Sequence, residues 1–472
     1  MISNQPNQKR LEEAARVRLV NLGCPKNEVD SEEMLGVLVR SGFQIDATSE
    51  DVDVVLVNSC GFIESAREES IDVILDALES KKSGKVRKVI VAGCMVQRYA
   101  SELKRELPEV DVFLGAGRMS DIGIMVRNAL STDTTGIINV AKPRHRWLDA
   151  PVRVRTGCSW SAYLKISEGC DHKCTFCAIP SMRGEHVSKP LERVISEAEE
   201  LAASGAKEIN LIAQDSTQYG YDLYKRPMLP ELLRCLAKIE EVQWLRLFYC
   251  YPSRVNDDII EVISSTPKVC QYIDMPLQHA DEEILKRMKR PGGAKSYLNL
   301  IERFRKASPD ICFRTTFIVG FPGEQERHFR NLLEFVEEAK FDHVGVFEYS
   351  QEEGTPSSQM SERVPLRVRR QRKNDLLKVQ REISLSINKS WVGREIEALV
   401  EEVGNNVAIG RSFRDAPEID GKIIIRSANV QPGEMISVRI IEAKHYDLIA
   451  EPAFPREPKS NSEDPGLLAS LA

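Results

Sequence analysis

The sequence predicts an α/β protein in three parts: an N-terminal parallel-sheet α/β domain, a central partial (β/α) barrel and a small C-terminal all-β barrel. Three observations predict it. Short β-branched runs alternate with helical stretches over most of the chain, the pattern changes to short strands with glycine-containing turns after Trp391, and 472 residues supply about three domain cores at roughly 150 residues each. A composition of 42% hydrophobic and 29% charged residues is that of a globular chain and excludes wholesale disorder.

The N-terminal domain is expected over 16–133. Its apolar runs at 17–22, 54–58 and 88–92, with a weaker fourth at 112–114, are spaced one strand plus one helix apart, as a parallel sheet requires. Residues 134–155, with Pro143 and Pro151, read as a linker with some strand character. The barrel domain follows over 156–388, with strands at 162–166, 208–213, 244–248, 272–274, 314–319 and 344–349. Between the first two, Ser188 and Pro190 open a helix whose apolar stripe is Leu191, Val194, Ile195, Ala198, Leu201 and Ala202, and Gly205 closes it. Six alternations predict a full or partial barrel with its functional loops at the C-terminal strand ends. The basic stretch 363–389 reads as a solvated helix joining domains. Residues 389–452 form the small barrel, with turns at Gly393, Gly404, Gly410, Gly421 and Gly433, and 453–472 reads as a disordered tail.

Lys plus Arg number 65 against 71 Asp plus Glu, a net charge of −6, so gripping phosphate backbones is not the chain's main work. No apolar run reaches the ~18–20 residues of a membrane span. The first sixteen residues carry no apolar core of a signal peptide. A cytoplasmic protein with no membrane partner is expected.

Eleven cysteines are then unexpected, and a reducing compartment leaves burial, catalysis or metal binding for them. Cys170, Cys174 and Cys177 stand at CxxxCxxC spacing just after the first barrel strand. Three thiolates can hold three irons of a four-iron cube and leave the fourth open to a ligand. Zinc is the alternative, with His172 as fourth ligand from inside the loop. Cys24, Cys60 and Cys94 look scattered, yet each ends one of the first three strands, and parallel strand ends share one edge. Gly23, Gly61 and Gly93 beside them allow close backbone approach. One such Cys is ordinarily a packed small residue; three at equivalent positions point to a second three-thiolate cluster. Cys158, Cys235, Cys250, Cys270 and Cys312 are expected to be buried packing residues.

The CxxxCxxC spacing with Phe176 before the last Cys resembles the signature of radical S-adenosylmethionine (radical SAM) enzymes. That resemblance implies that SAM chelates the open iron and that one electron from the cluster cleaves its sulfonium to a 5′-deoxyadenosyl radical. It also implies that Phe176 lies near the adenine, together with the segment 316–324, which contains Gly320 and Glu324. Gln214, Asp215 and Arg314 are expected at SAM polar groups, and no acid–base catalytic residue is assigned. The plain alternative for 316–324 is a barrel strand ending in a Phe-Pro-Gly turn.

The whole arrangement is similar to the methylthiotransferase family, most visibly at Asn21-Leu22-Gly23-Cys24-Pro25-Lys26-Asn27 and at Cys177-Ala178-Ile179-Pro180-Ser181-Met182-Arg183-Gly184. The resemblance implies two [4Fe-4S] clusters and two SAM per turnover. One SAM methylates a sulfur species on the second cluster; the other yields the radical, and C–H becomes C–S–CH3. An electron donor such as a flavodoxin-like protein and a sulfur donor are the implied partners.

The family divides between tRNA adenosines and a ribosomal-protein aspartate. The C-terminal barrel resembles a TRAM domain, an OB-like module often used on RNA. Between Trp391 and Ala450, however, seven basic residues face ten acidic ones, a net of −3, with only Trp391, Phe413 and Tyr446 as aromatics. An RNA grip should be basic and rich in stacking rings, whereas an acidic module suits a basic protein. Direct RNA contact is therefore not expected, although a basic patch inside an acidic average leaves it open. The segments 410–421 and 272–280 resemble the ribosomal-protein branch; without that likeness 410–421 reads as a charged hairpin loop. The expectation is β-methylthiolation of an aspartate in small-subunit ribosomal protein S-twelve. The alternatives are a tRNA adenosine methylthiotransferase of the same mechanism and, in another class, a non-catalytic metal protein that binds RNA through its barrel.

Overall fold

The computed structural model describes residues 14–143, 147, 153–426 and 429–453. Nearly all of the expected disordered tail lies outside them, as does part of the expected linker.

The N-terminal domain is a six-stranded parallel sheet of β1 (Arg16–Asn21), β2 (Gln44–Ile45), β3 (Val52–Ser59), β4 (Val86–Gly93), β5 (Val112–Gly115) and β6 (Ile137–Asn139), in the order β2-β1-β3-β4-β5-β6. Seven of the eight residues of β3 are buried, as expected for a strand covered on both faces. One apolar layer joins the sheet to Ile74, Ala77 and Leu103; the opposite layer joins it to Met34, Leu35, Leu38, Ile122 and Val126. β2 and β6 are absent from the sequence reading because two and three residues carry no readable period. β6 draws part of the expected linker into the sheet through Val112↔Ile137.

In the central domain β7 (Ser161–Lys165) is followed by the short pair β8 (Ser167–Glu168) and β9 (Val187–Ser188), whose antiparallel register Ser167↔Ser188 pinches the cysteine loop at its base. The remaining strands are β10 (Glu208–Ile212), β11 (Trp244–Leu247), β12 (Tyr272–Asp274), β13 (Cys312–Val319) and β14 (His343–Glu348). Parallel ladders β11-β10-β7 and β12-β13-β14 meet at the bridge Leu245↔Val269, which gives an open, six-stranded partial barrel. Its outer helices pack through one large apolar cluster.

The basic helix Leu366–Lys389 is not the solvated linker expected from its sequence. Leu376 packs into the barrel core, Gln380 donates to the Phe341 carbonyl at 2.7 Å, and Ser384 donates to the Asp342 carbonyl at 2.9 Å. The buried stripe Arg372-Leu376-Gln380-Ser384-Asn388 recurs every four residues but is mostly polar, so hydropathy does not reveal it.

The C-terminal strands β15 (Glu395–Gly404), β16 (Val407–Arg411), β17 (Ile423–Arg426), β18 (Met435–Ala443) and β19 (Leu448–Pro452) close into a barrel in the order β15-β16-β17-β19-β18. The β16–β17 connection leaves this barrel and plugs the foot of the central one. Arg411 bonds Glu208 at 2.6 Å, Arg246 bonds the Phe413 carbonyl at 2.6 Å, and Tyr272 donates to Asp420 at 2.8 Å. Arg414 bonds Asp342 at 3.1 Å. Glu208 and Tyr272 open their strands, so the plug occupies the N-terminal end and leaves the C-terminal mouth to the cysteines. Among the described residues no helix is long and apolar enough to cross a membrane.

Candidate active site

Because β1, β3 and β4 are sheet neighbours, the three dispersed cysteines leave the same edge side by side. Cys24 caps the helix Pro25–Arg40 and Cys94 begins the helix Cys94–Glu106, where the helix dipole favours a thiolate; Cys60 directly follows β3. Gly23, at φ +96°, is required by this crowding: a Cβ there would stand 2.8 Å from Cys60 Cβ and 3.1 Å from its Sγ. Asn27 laces the edge, donating Nδ2 to the Leu22 carbonyl at 2.8 Å and to the Ser59 carbonyl at 3.3 Å.

The second trio lies on the loop between β8 and β9. Cys170 N donates to the Gly184 carbonyl at 3.0 Å, and Cys177 N to the Cys174 carbonyl at 3.2 Å. The Ile179 backbone N–H points at Cys177 Sγ at 3.5 Å, and Arg290 reaches Cys174 Sγ at 3.7 Å. His172 stacks on Tyr251 with centroids 3.7 Å apart, and its Nε2 bonds Asp215 at 2.7 Å, so that ring nitrogen already has a partner.

The two trios are neighbours. Cys94 packs against Ala178, the residue after Cys177, and against Met182. Arg183, at the end of the short helix Ile179–Arg183, donates Nε to Cys94 Sγ at 3.1 Å and Nη2 to Asn27 Oδ1 at 2.6 Å. Its Nη1 bonds Asp30 at 2.5 Å and lies 3.4 Å from Glu168, and Lys165 pairs with the same two carboxylates. Glu168 accepts Gln214 Nε2 at 2.6 Å, whereas Gln214 Oε1 has no partner among the described residues. Of these residues, sequence reasoning gave no role to Asn27, Asp30, Lys165, Glu168 and Arg183. Two charges in and just beyond a predicted barrel strand, Lys165 and Glu168, were the available signal.

The other expected contacts fall at three places. Phe176 is half-buried against the barrel core. At the end of β13, Glu324 Oε2 accepts the backbone N–H groups of Gly320 at 2.7 Å and Phe321 at 3.2 Å, and Arg372 bonds Oε1 at 2.8 Å. Burial nevertheless raises Glu324 to about 7. Arg314 is engaged lower in the barrel by Asp274 at 3.0 Å and Asp420 at 3.3 Å. Cys250, Cys270 and Cys312 are buried as expected of packing residues, while Cys158 and Cys235 are half-buried.

Burial pushes Cys94 up to about 12 against the opposing pull of Arg183; it also raises Cys60, and takes Cys170 to about 11 and Cys177 to about 12. Such thiols ionise when a bound cation supplies the missing positive charge. Among the described residues no three Cys, His, Asp or Glu side chains converge tightly enough for a single metal ion. A four-iron cube gives each thiolate its own iron and accepts a wider spread. Two sets of three thiols, partly buried and met by N–H donors at Cys94, Cys174 and Cys177, fit that group.

The family model for the radical SAM superfamily matches residues 164–336, that for an uncharacterized protein family (UPF0004) matches 16–115, and that for the TRAM domain matches 392–452. The ribosomal protein uS12 methylthiotransferase RimO of Symbiobacterium thermophilum is 45% identical over 446 residues, covering 93% of this chain and 91% of its own. Its namesake from Desulforamulus reducens is 46% identical over 447 residues, covering 92% and 99%. Among solved structures, the radical SAM methyltransferase TsrM from Kitasatospora setae matches at TM-score 0.50 and 14% identity over 83% of this chain and 79% of that one, a likeness of fold alone.

Proposed function

The chain belongs to the family of RimO-type ribosomal protein uS12 methylthiotransferases, radical SAM enzymes, and we propose that it places a methylthio group on the β-carbon of an aspartate in uS12, using two [4Fe-4S] clusters and two SAM per turnover. When bound, the clusters and SAM supply the radical that removes the hydrogen and the sulfur that replaces it.

In this reading Cys170, Cys174 and Cys177 hold the radical cluster, and Cys24, Cys60 and Cys94 the auxiliary one. Phe176, Gln214, Gly320 and Glu324 line the SAM site, where Glu324 fixes the Gly320-Phe321 backbone. Arg314, taken up by Asp274 and Asp420, holds the plug instead. The plug closes the foot of the barrel and the N-terminal domain packs beside its mouth, an arrangement that limits the water around a reactive radical.

The observation that supports this reading most is the packing of Cys94 on Ala178, one residue from Cys177: sulfur delivery must occur beside the point where the radical forms. Acidity of the C-terminal barrel supports a basic protein substrate. Setting aside the buried side chains of Arg411, Arg414, Asp415 and Asp420, five basic residues still face eight acidic ones.

The test is reconstituted enzyme with SAM and a reductant, given either uS12 or tRNA. A methylthio mass gain on uS12 is expected; gain on tRNA alone would overturn the choice of substrate. Cytoplasmic location, a flavodoxin-like electron donor and a separate sulfur donor complete the proposal.

A further inference from the structure

Among the described residues Lys26, two positions after Cys24 of the first trio, is a buried basic group that enters no ion pair. It is 7% exposed, yet among the described residues its Nζ has no hydrogen bond and no carboxylate within ion-pair distance; its one close neighbour is the Tyr249 ring, whose centroid lies 3.8 Å away. The face of a ring offers electrostatic attraction but satisfies none of an ammonium's three directed N–H donors. The acidic groups nearby are already paired: Glu168 with Lys165 and Arg183, and Asp274 with Arg314. A buried cation left over in this way is costly unless a ligand completes it.

Its seat is an unusual one. Tyr249 follows β11 at the C-terminal mouth of the barrel and holds φ +58°, a left-handed conformation rare for an aromatic residue. That strain is held by the backbone bond from Tyr249 N to Asp274 Oδ2 at 3.2 Å and places the ring beneath Lys26. Two residues before Lys26, Cys24 is exposed. Lys26 thus lies two positions in from a cysteine that reaches the surface.

We propose that Lys26 Nζ, seated on the Tyr249 ring, is the receptor for the side-chain carboxylate of the substrate aspartate. The inference rests on the uS12 reading above and deepens it. The β-carbon of an aspartate is bonded directly to its carboxylate carbon, so fixing the carboxylate at Lys26 fixes the reacting C–H bond within one bond length. It also gives the enzyme a chemical reason to choose aspartate, since asparagine brings no charge to offset the buried ammonium.

The test measures binding of uS12, and of uS12 with asparagine at the position that mass spectrometry shows to be modified, to holoenzyme with intact clusters. Wild-type enzyme should prefer aspartate by roughly 10- to 100-fold, the range of a buried charge-assisted bond. Lys26→Met should bring the two substrates within about threefold, and Lys26→Arg should restore part of the gap. Iron content and cluster EPR establish that the variants are loaded; if Lys26→Met fails that check, Tyr249→Leu takes its place, with the same narrowing expected. An undiminished preference in the loaded variant overturns the proposal. SAM also carries a carboxylate, so its affinity is measured in parallel: a fall there with the aspartate preference intact assigns Lys26 to SAM and overturns the proposal equally. Absence of any methylthiolation of uS12 by wild-type enzyme is the separate failure of the substrate reading.

Discussion

Arg183 Nε stands 3.1 Å from Cys94 Sγ while Nη1 of the same side chain bonds Asp30 at 2.5 Å. One guanidinium thus ties the end of the helix that follows the CxxxCxxC loop to a thiol of the N-terminal sheet and to a carboxylate on the helix Pro25–Arg40. The planar fork explains the choice of arginine: three nitrogens serve a sulfur, a carboxylate and an amide oxygen, which an ammonium on a flexible stem would not do at once. N–H bonds to cluster sulfurs tune reduction potential, so in the proposed assignment the residue that joins the two trios would also bear on the electrostatics of the auxiliary cluster.

Replacing it tests both roles. Arg183→Gln removes a buried partner of Asp30 and should cost ~3–5 kcal/mol in chemical unfolding. It should also move the auxiliary cluster to a more negative midpoint in potentiometric EPR while the radical cluster stays put. A lower unfolding midpoint with both potentials unchanged would leave Arg183 a structural role alone.

The two trios should separate by substitution. Wild-type chain reconstituted without oxygen should carry about eight irons, and Cys60→Ala and Cys174→Ala about four each. Cys174→Ala should form no 5′-deoxyadenosine. Cys60→Ala should still form it but insert no sulfur. Full product from Cys60→Ala would remove the auxiliary-cluster assignment.

Acid should loosen the molecule in a defined window. Burial pulls Glu208 upward, but Arg411 and Arg246 outweigh it and hold it at about 2; Lys189 and Arg153 do the same for Glu197, also at about 2. Both folded values lie below the usual 4.5, so each group adds stability that is complete above that pH and drains away as pH falls toward 2. Roughly 3 kcal/mol apiece is at stake. Glu28 and Glu324, raised to about 7 by burial, act oppositely and cost stability as pH climbs from 4.5 toward 7. Urea midpoints between pH 7 and 3 should therefore fall on the acid side, and Glu208→Gln should flatten that fall; an unchanged slope in the variant would reject the assignment.

What could be read from sequence was what local pattern and strand topology decide. The CxxxCxxC loop is contiguous, and Cys24, Cys60 and Cys94 share an edge because β1, β3 and β4 are consecutive neighbours in a parallel sheet. Pairings between distant charges were not readable. Lys165 meets Asp30 across 135 positions, and Arg411 meets Glu208 across 203. Arg314 shows the consequence: a charge entering a strand of the barrel was expected at SAM, and its partners turned out to be Asp274 and a loop of another domain. The segment 410–421, without its family likeness, reads as a charged hairpin loop because nothing local announces the cavity that it fills.

That segment yields the last prediction. Glu208 lies fully buried between Arg246 at 2.9 Å and Arg411 at 2.6 Å, so one carboxylate neutralises two guanidiniums from different domains. Removing a partner from a buried pair costs ~3–5 kcal/mol because the remaining charge is stranded. Arg411→Met strands nothing outright, since Glu208 keeps Arg246; Glu208→Gln strands Arg246, whereas Arg411 keeps Glu401 at 2.7 Å. Glu208→Gln should therefore be the more damaging of the two. The double variant should be more stable than the sum of the single losses predicts, because the second change removes the guanidinium that would otherwise crowd the stranded Arg246. Limited proteolysis gives an independent reading: the 411–422 loop should become cleavable in Arg411→Met while the cysteine loop stays protected. Equal losses from both single variants, adding without coupling, would show that the plug is held by backbone contacts and not by its charges.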